Sequence, residues 1–202
     1  MAIGLAQAKA DIIRAGQRMD ARGWVPATAG NISLRLAPNR IAITASGFHK
    51  GFLTAEAVMQ VDDTGAPLSP GRPSAETLLH CQIYTSFPTA GAVLHGHSVA
   101  GTVLSMATAA PVLRFSGYEL LKAFAGQATH DTSLDLPLVD NDQDMTRLAG
   151  VLAPLLPGCA MGYLIRGHGA YVWGPDMDSA LARLEALEFL LACALETRRP
   201  SP

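Results

Sequence analysis

The stretch GAVLHGHSVAGTVLSM, residues 91–106, decides the architecture. Gly91 to His97 is a short apolar run with glycine at both sides, the mark of a buried strand, and Ser98 then opens a small-residue helix carrying Val99, Val103 and Met106. Strand passing directly into helix is the building unit of an α/β domain. His95 and His97 stand two apart on that strand, so both imidazoles project to one face, roughly 6 to 7 Å apart along the backbone and able to converge on one metal ion. Two histidines satisfied by hydrogen bonds are the alternative, but the end of an apolar strand at the start of a helix is where functional crevices form.

Upstream, Leu5, Ala8, Ile12, Ala15 and Met19 recur at helical spacing, with Gly23 as the stop. Between Asn31 and Ser46 the period changes to two, through Ile32, Leu34, Leu36, Ile41 and Ile43, which predicts a hairpin around Pro38 and Asn39. Asp62 to Pro73 reads as a loop, followed by a helix that Ser74 is placed to cap. Downstream come a short helix over Gly117 to Phe124, an acidic loop from Asp131 to Asp144 interrupted by alternating Leu134, Leu136 and Leu138, and a helix through Leu148 and Leu152. Two strands, Tyr163 to Ile165 and Tyr171 to Trp173, are joined across Gly167, His168 and Gly169, and a last helix carries Leu181, Leu184, Leu187, Leu191 and Leu195. Arg198 to Pro202 follow the last periodic Leu as an end without chemistry. No linker or repeat interrupts residues 1–202, so the expectation is one α/β domain with a mixed sheet between helices.

Composition bounds the partners. A chain of 202 residues suffices for one core that buries roughly 70% of its unfolded surface. Fifteen Lys plus Arg against seventeen Asp plus Glu exclude a nucleic-acid-coating protein or a basic membrane binder. The 49% hydrophobic content against 16% charged excludes disorder and suggests apolar surface buried between subunits. Cys81, Cys159 and Cys193 are widely spaced and form no CxxC pair, which fits a reducing cytoplasm. No apolar run approaches the roughly 18 residues that span a bilayer, and the helical pattern around Lys9, Asp11 and Arg14 is not that of a signal peptide.

The remaining chemistry is sparse. His168, between two glycines in a turn, can be a third imidazole ligand; three neutral imidazoles leave an open position on Zn²⁺. His49 and His130 fall in loops, and His80 in a helix body where a buried hydrogen-bonded role is expected. Glu76 and Glu119 interrupt uncharged stretches, although a helix dipole accounts for the first and pairing with Lys122 for the second. Three segments have the small residues and backbone N–H groups of a phosphate cradle, namely Thr28 to Asn31, Thr44 to Gly47, and Ser74 at a helix start, with Lys50 as a nearby point charge. Each alone is equally an ordinary turn.

In order along essentially the whole chain, TAGNIS, TASG, PSAE, HGH and GHG resemble the class II aldolase and adducin family. The resemblance implies a three-layer α/β/α domain with a mixed central sheet. It also implies one Zn²⁺ per subunit held by His95, His97 and His168, with Glu119 as catalytic acid/base. Gly30, Asn31, Ser46, Gly47, Lys50 and Ser74 would face the phosphate of a small sugar phosphate. Glu76 matches the family carboxylate that serves as acid/base or zinc neighbour, and Ala75 stands where many members place a second Ser. Within the family, SGFHKGFLTAEAVMQVD and GYELLKAF look most like its zinc-dependent dehydratase branch, and no Tyr follows Tyr171 of the kind that family aldolases carry in a tail. The alternatives are a sugar-phosphate aldolase or epimerase, and an interaction module without catalysis. A cytoplasmic homotetramer with sites where subunits meet is the assembly that the resemblance implies.

Overall fold

The structure, a computed structural model, describes residues 3–198; the end at Arg199 to Pro202 lies outside the described residues. One eight-stranded sheet organises it, in the order β3-β2-β1-β4-β8-β7-β6-β5. The strands are β1 (Asn31–Ala37), β2 (Arg40–Thr44), β3 (Val58–Val61), β4 (Ala92–Gly96), β5 (Val112–Ser116), β6 (Ser133–Val139), β7 (Tyr163–Ile165) and β8 (Ala170–Gly174). Neighbours run antiparallel except β6 and β7, which run parallel, so the sheet is mixed.

Alternation of side chains gives the central strands two buried faces. Ile32, Leu34, Leu94, Leu164 and Val172 point to one side, where they meet Ile12 and Met19 of α1 (Leu5–Ala21), Leu104 of α3 (Val99–Ala107) and Leu184, Leu187 and Leu191 of α5 (Met177–Glu196). Ile41, Ile43, Val93, Tyr163 and Tyr171 point to the other, against Leu79 and Ile83 of α2 (Thr77–Ser86) and Leu148 and Leu152 of α4 (Met145–Leu152). The result is helices on both faces of a mixed sheet, the expected α/β/α architecture.

Most predicted elements lie where their periodicity put them, and Gly23 ends α1 at φ +73°. Ser98 caps α3 by accepting from Gly101 N at 2.9 Å. Ser74 does not cap α2: the helix begins at Thr77, and the Ser74 hydroxyl accepts instead from Asn31 Nδ2 (3.1 Å) and Glu76 N (3.3 Å). Glu76 thus occupies the N-cap position without capping, its side chain free for other partners. Residues 117–124 contain a 3-10 turn, Glu119–Ala123.

Candidate metal centre

The register of the central strands assembles the site. Asn31 of β1 lies opposite His95 of β4, and His95 lies opposite Tyr171 of β8. Tyr171 stacks on the His95 ring with centroids 4.1 Å apart, fixing the plane of the imidazole. Close backbone approach holds the strands together here: a Cβ on Gly169 would lie 2.3 Å from the Gly96 carbonyl oxygen and 2.9 Å from His95 Cε1. Gly30, at φ +77°, turns the chain into β1 so tightly that a Cβ would lie 2.7 Å from the His95 carbonyl oxygen.

His95, His97 and His168 converge, and Glu76 joins them. One ligand atom from each of the four lies within 4.8 Å of the others. His95 Nε2 is 2.8 Å from His97 Nε2, His168 Nε2 is 2.8 Å from Glu76 Oε1, and His95 Nε2 is 3.7 Å from Glu76 Oε2. The outer nitrogen of His95 donates from Nδ1 to the Ala170 carbonyl oxygen at 3.0 Å, which leaves its Nε2 lone pair aimed into the cluster. His168 Nδ1 lies 3.3 Å from Asn141 Oδ1 in the same arrangement.

Electrostatics favour ligands in the required protonation states. Burial holds His95 well below the usual imidazole range and brings His97 to about 4. Burial opposes the charged form of Glu76, but hydrogen bonds from His168 and Asn31 more than offset it, and its carboxyl sits below the ordinary carboxylate range. Neutral imidazoles, as at His95 and His97, and an ionised carboxylate, as at Glu76, are the forms that bind a divalent cation. The donor set therefore fits a metal ion.

The cluster opens into a cavity of about 350 Å³. Gly30, Asn31, Ser46, Gly47, Lys50 and Ser74 all line it with Glu76, His97 and His168, while His95 is fully buried beside them in the cluster. Lys50 Nζ donates to the carbonyls of Thr28 (2.8 Å) and Phe48 (2.7 Å), tying two of the loops together and leaving one N–H for the cavity. Burial lowers its ammonium to about 8. Gln143 and Met145 complete the wall. The sequence offered only their place between an acidic loop and a helix, and nothing in it tied them to the histidines.

Glu119 stands elsewhere. It does not line this cavity; its side chain is 66% exposed, pairs with Lys122 one helical turn on, and lies 3.8 Å from His130 Nδ1. Within one chain the geometry is that of the surface ion pair.

A three-layer α/β domain with such a histidine–carboxylate cluster under small-residue loops defines a class, and the chain belongs to the class II aldolase and adducin family, whose N-terminal-domain model matches residues 10–195. Two relatives named methylthioribulose-1-phosphate dehydratase show how near the similarity runs. One, from Granulibacter bethesdensis, is 67% identical over 93% of this chain and 91% of its own; the other, from Acidiphilium cryptum, is 56% identical over 96% and 93%. Among solved structures, YgbL of Klebsiella pneumoniae superposes with a TM-score of 0.86 at 25% identity, covering 98% of this chain and 93% of its own. L-fuculose-1-phosphate aldolase of Thermus thermophilus does so with 0.76 at 25% identity, covering 96% and 97%.

Proposed function

We propose that this protein is a zinc-dependent lyase that dehydrates 5-methylthioribulose 1-phosphate to 2,3-diketo-5-methylthiopentyl 1-phosphate, a step of methionine salvage in the cytoplasm. The observation that carries this reading is one cavity shared by the histidine–carboxylate cluster and all three small-residue loops, in a chain 67% identical to a dehydratase of that name.

His95, His97 and His168 would hold the Zn²⁺, with Glu76 as a fourth ligand or the carboxylate beside it. A zinc ion bound there supplies Lewis-acid polarisation of the substrate carbonyl and so acidifies the C3 proton. The backbone amides and hydroxyls of the three loops, with the free Lys50 N–H, orient the phosphate, which takes no part in the reaction. A carboxylate removes the C3 proton, the C4–O bond breaks, and the hydroxyl leaves as water on receiving a proton; the enol then ketonises to the diketone. One carboxyl can serve both proton transfers in turn.

Glu119 is assigned that role on the resemblance of GYELLKAF to the dehydratase branch; because it stands outside the cavity of its own chain, it would have to be delivered from a neighbouring copy in a homotetramer. Glu119→Gln should then retain zinc and fold and lose roughly 10²- to 10⁴-fold in rate. Near-normal turnover with full zinc occupancy would remove Glu119 from the mechanism and turn attention to Glu76.

Elemental analysis tests the metal. About one zinc per chain is expected, on the preference of an imidazole-rich donor set; His95→Ala should abolish metal binding and turnover, and His130→Ala should leave both intact. Active protein free of metal would overturn the reading. The fold shared with L-fuculose-1-phosphate aldolase gives a second reading, sugar-phosphate cleavage or epimerisation at the same cluster. Product analysis separates the two, since an aldolase releases two fragments.

A further inference from the structure

A file of buried polar groups runs from the cluster into the layer beneath α2. Asn31 Nδ2 lies 2.8 Å from Glu76 Oε2, and Asn31 Oδ1 lies 3.0 Å from His80 Nε2. His80 Nδ1 lies 2.7 Å from Ser33 Oγ, which is 2.9 Å from the Tyr84 hydroxyl. Asn31, Ser33, His80 and Tyr84 are all buried, at 4%, 0%, 0% and 2% exposure, and the two ring nitrogens of His80 are taken by Asn31 and Ser33.

From Glu76 to Ser33 every proton along this file has one place to go. The Glu76 carboxylate only accepts, so Asn31 must turn its amide N–H toward it and its carbonyl toward His80. That carbonyl only accepts, so His80 carries its proton on Nε2. Burial pushes the His80 imidazolium down to about 4, so the ring is neutral near pH 7 and Nδ1 is a bare acceptor. Ser33 must then donate to Nδ1, and Tyr84 donates to Ser33 at 2.9 Å in preference to its other acceptor, the Gly91 carbonyl oxygen at 3.5 Å, since otherwise two hydroxyl oxygens would face each other with no proton between them. The donors all point the same way, Tyr84 to Ser33 to His80 to Asn31 to Glu76, and such aligned bonds reinforce one another in a low-dielectric interior.

We propose that His80 is a positioning residue: through Asn31 it fixes the Glu76 carboxylate at the metal cluster, and Ser33 and Tyr84 lock the His80 tautomer that this requires. Reversal of the Asn31 amide would aim a carbonyl oxygen at the carboxylate and at Ser74 Oγ, and the His80 Nε2–H opposes it from the other side by requiring the Asn31 carbonyl as its acceptor. A ring serving only as packing in the core would not need a defined tautomer. The inference rests on the metal reading above for its consequence at Glu76, and on the hydrogen-bond geometry alone for the tautomer.

Two measurements on the full chain test it separately. Imidazole ¹⁵N NMR of the wild-type protein should show His80 as the Nε2–H form with Nδ1 unprotonated; an Nδ1–H form would overturn the proposal whatever the metal result. Zinc affinity, read by competition with a chromophoric chelator, should weaken roughly 10- to 100-fold in His80→Phe, which keeps the ring volume without the donor. His80→Gln, whose amide N–H can reach Asn31 Oδ1, should recover most of that loss. Wild-type affinity in a folded His80→Phe would refute the positioning role, as would equal weakening in both variants. If His80→Phe does not fold, the NMR result and the rescue in His80→Gln decide. If the wild-type chain binds no zinc, the metal reading falls while the tautomer still tests the file.

Discussion

At the scale of single residues, the site depends on atoms that are absent as much as on those present. Gly169 has no Cβ to strike Gly96 and His95, so Gly169→Ala must push β8 from β4 at the ligand itself. Overpacking of this kind costs roughly 1–3 kcal/mol, and zinc stoichiometry in Gly169→Ala should fall well below that of wild type in the same elemental analysis. A second buried carboxylate, Glu188 on α5, stands outside the cluster and has one oxygen without a hydrogen-bond partner among the described residues. Burial raises its carboxyl to about 7, against a hydrogen bond with Ser98 that lowers it. The folded state thus keeps a proton between pH 4.5 and about 7 that the unfolded chain has lost, so this residue stabilises the fold fully below pH 4.5 and loses that contribution as pH rises through 7. Melting temperatures should show Glu188→Gln gaining on wild type at pH 8 relative to pH 5, by an amount of order 1–3 kcal/mol. A constant difference between the two proteins would contradict it. His95 and His97 were legible as a strand pair on one face and His168 as a candidate third imidazole, and the family resemblance, not spacing, joined the three into one ligand set. Glu76 was not separable in sequence from a helix-dipole acid, because only tertiary contact shows that its side chain turns away from α2.

At the scale of elements, the long periodic segments were readable and the sheet edges were not. β3 and β5, which close the two ends of the sheet, escaped the pattern reading. β3 is four residues long, too short for alternation to declare itself; β5 does alternate, burying Leu113 and Phe115 and exposing Arg114 and Ser116, but over only five residues. The N-terminus of α2 shows why a correct motif can carry a wrong local role. Ser74 has the residue type of a cap, yet Asn31 and the Glu76 amide claim its hydroxyl and the helix starts three residues later. Loss of a true cap costs roughly 0.5–2 kcal/mol. Ser74→Ala should therefore change stability by less than a cap would, while raising KM for the phosphorylated substrate; a full capping loss with unchanged KM would restore the simpler assignment.

At the scale of the whole molecule, the account requires more than one chain. Val99, Val103 and Met106 of α3 and Phe189 of α5 are exposed apolar side chains in the single chain, surface that a subunit contact would cover. Light scattering should give the mass of four chains. If Glu119 serves the cluster of a neighbouring copy, oligomers mixed from inactive His95→Ala and inactive Glu119→Gln chains should regain up to about a quarter of wild-type activity, because some sites then combine an intact cluster with an intact carboxylate. No recovery in demonstrably mixed oligomers would return Glu119 to its ion pair with Lys122. The most direct test of the central claim is incubation of zinc-loaded protein with methylthioribulose 1-phosphate, followed by mass spectrometry. The account predicts one product lighter by a single water, formed by wild type and not by His95→Ala. Two smaller fragments, an unchanged mass, or undiminished dehydration by His95→Ala would contradict it.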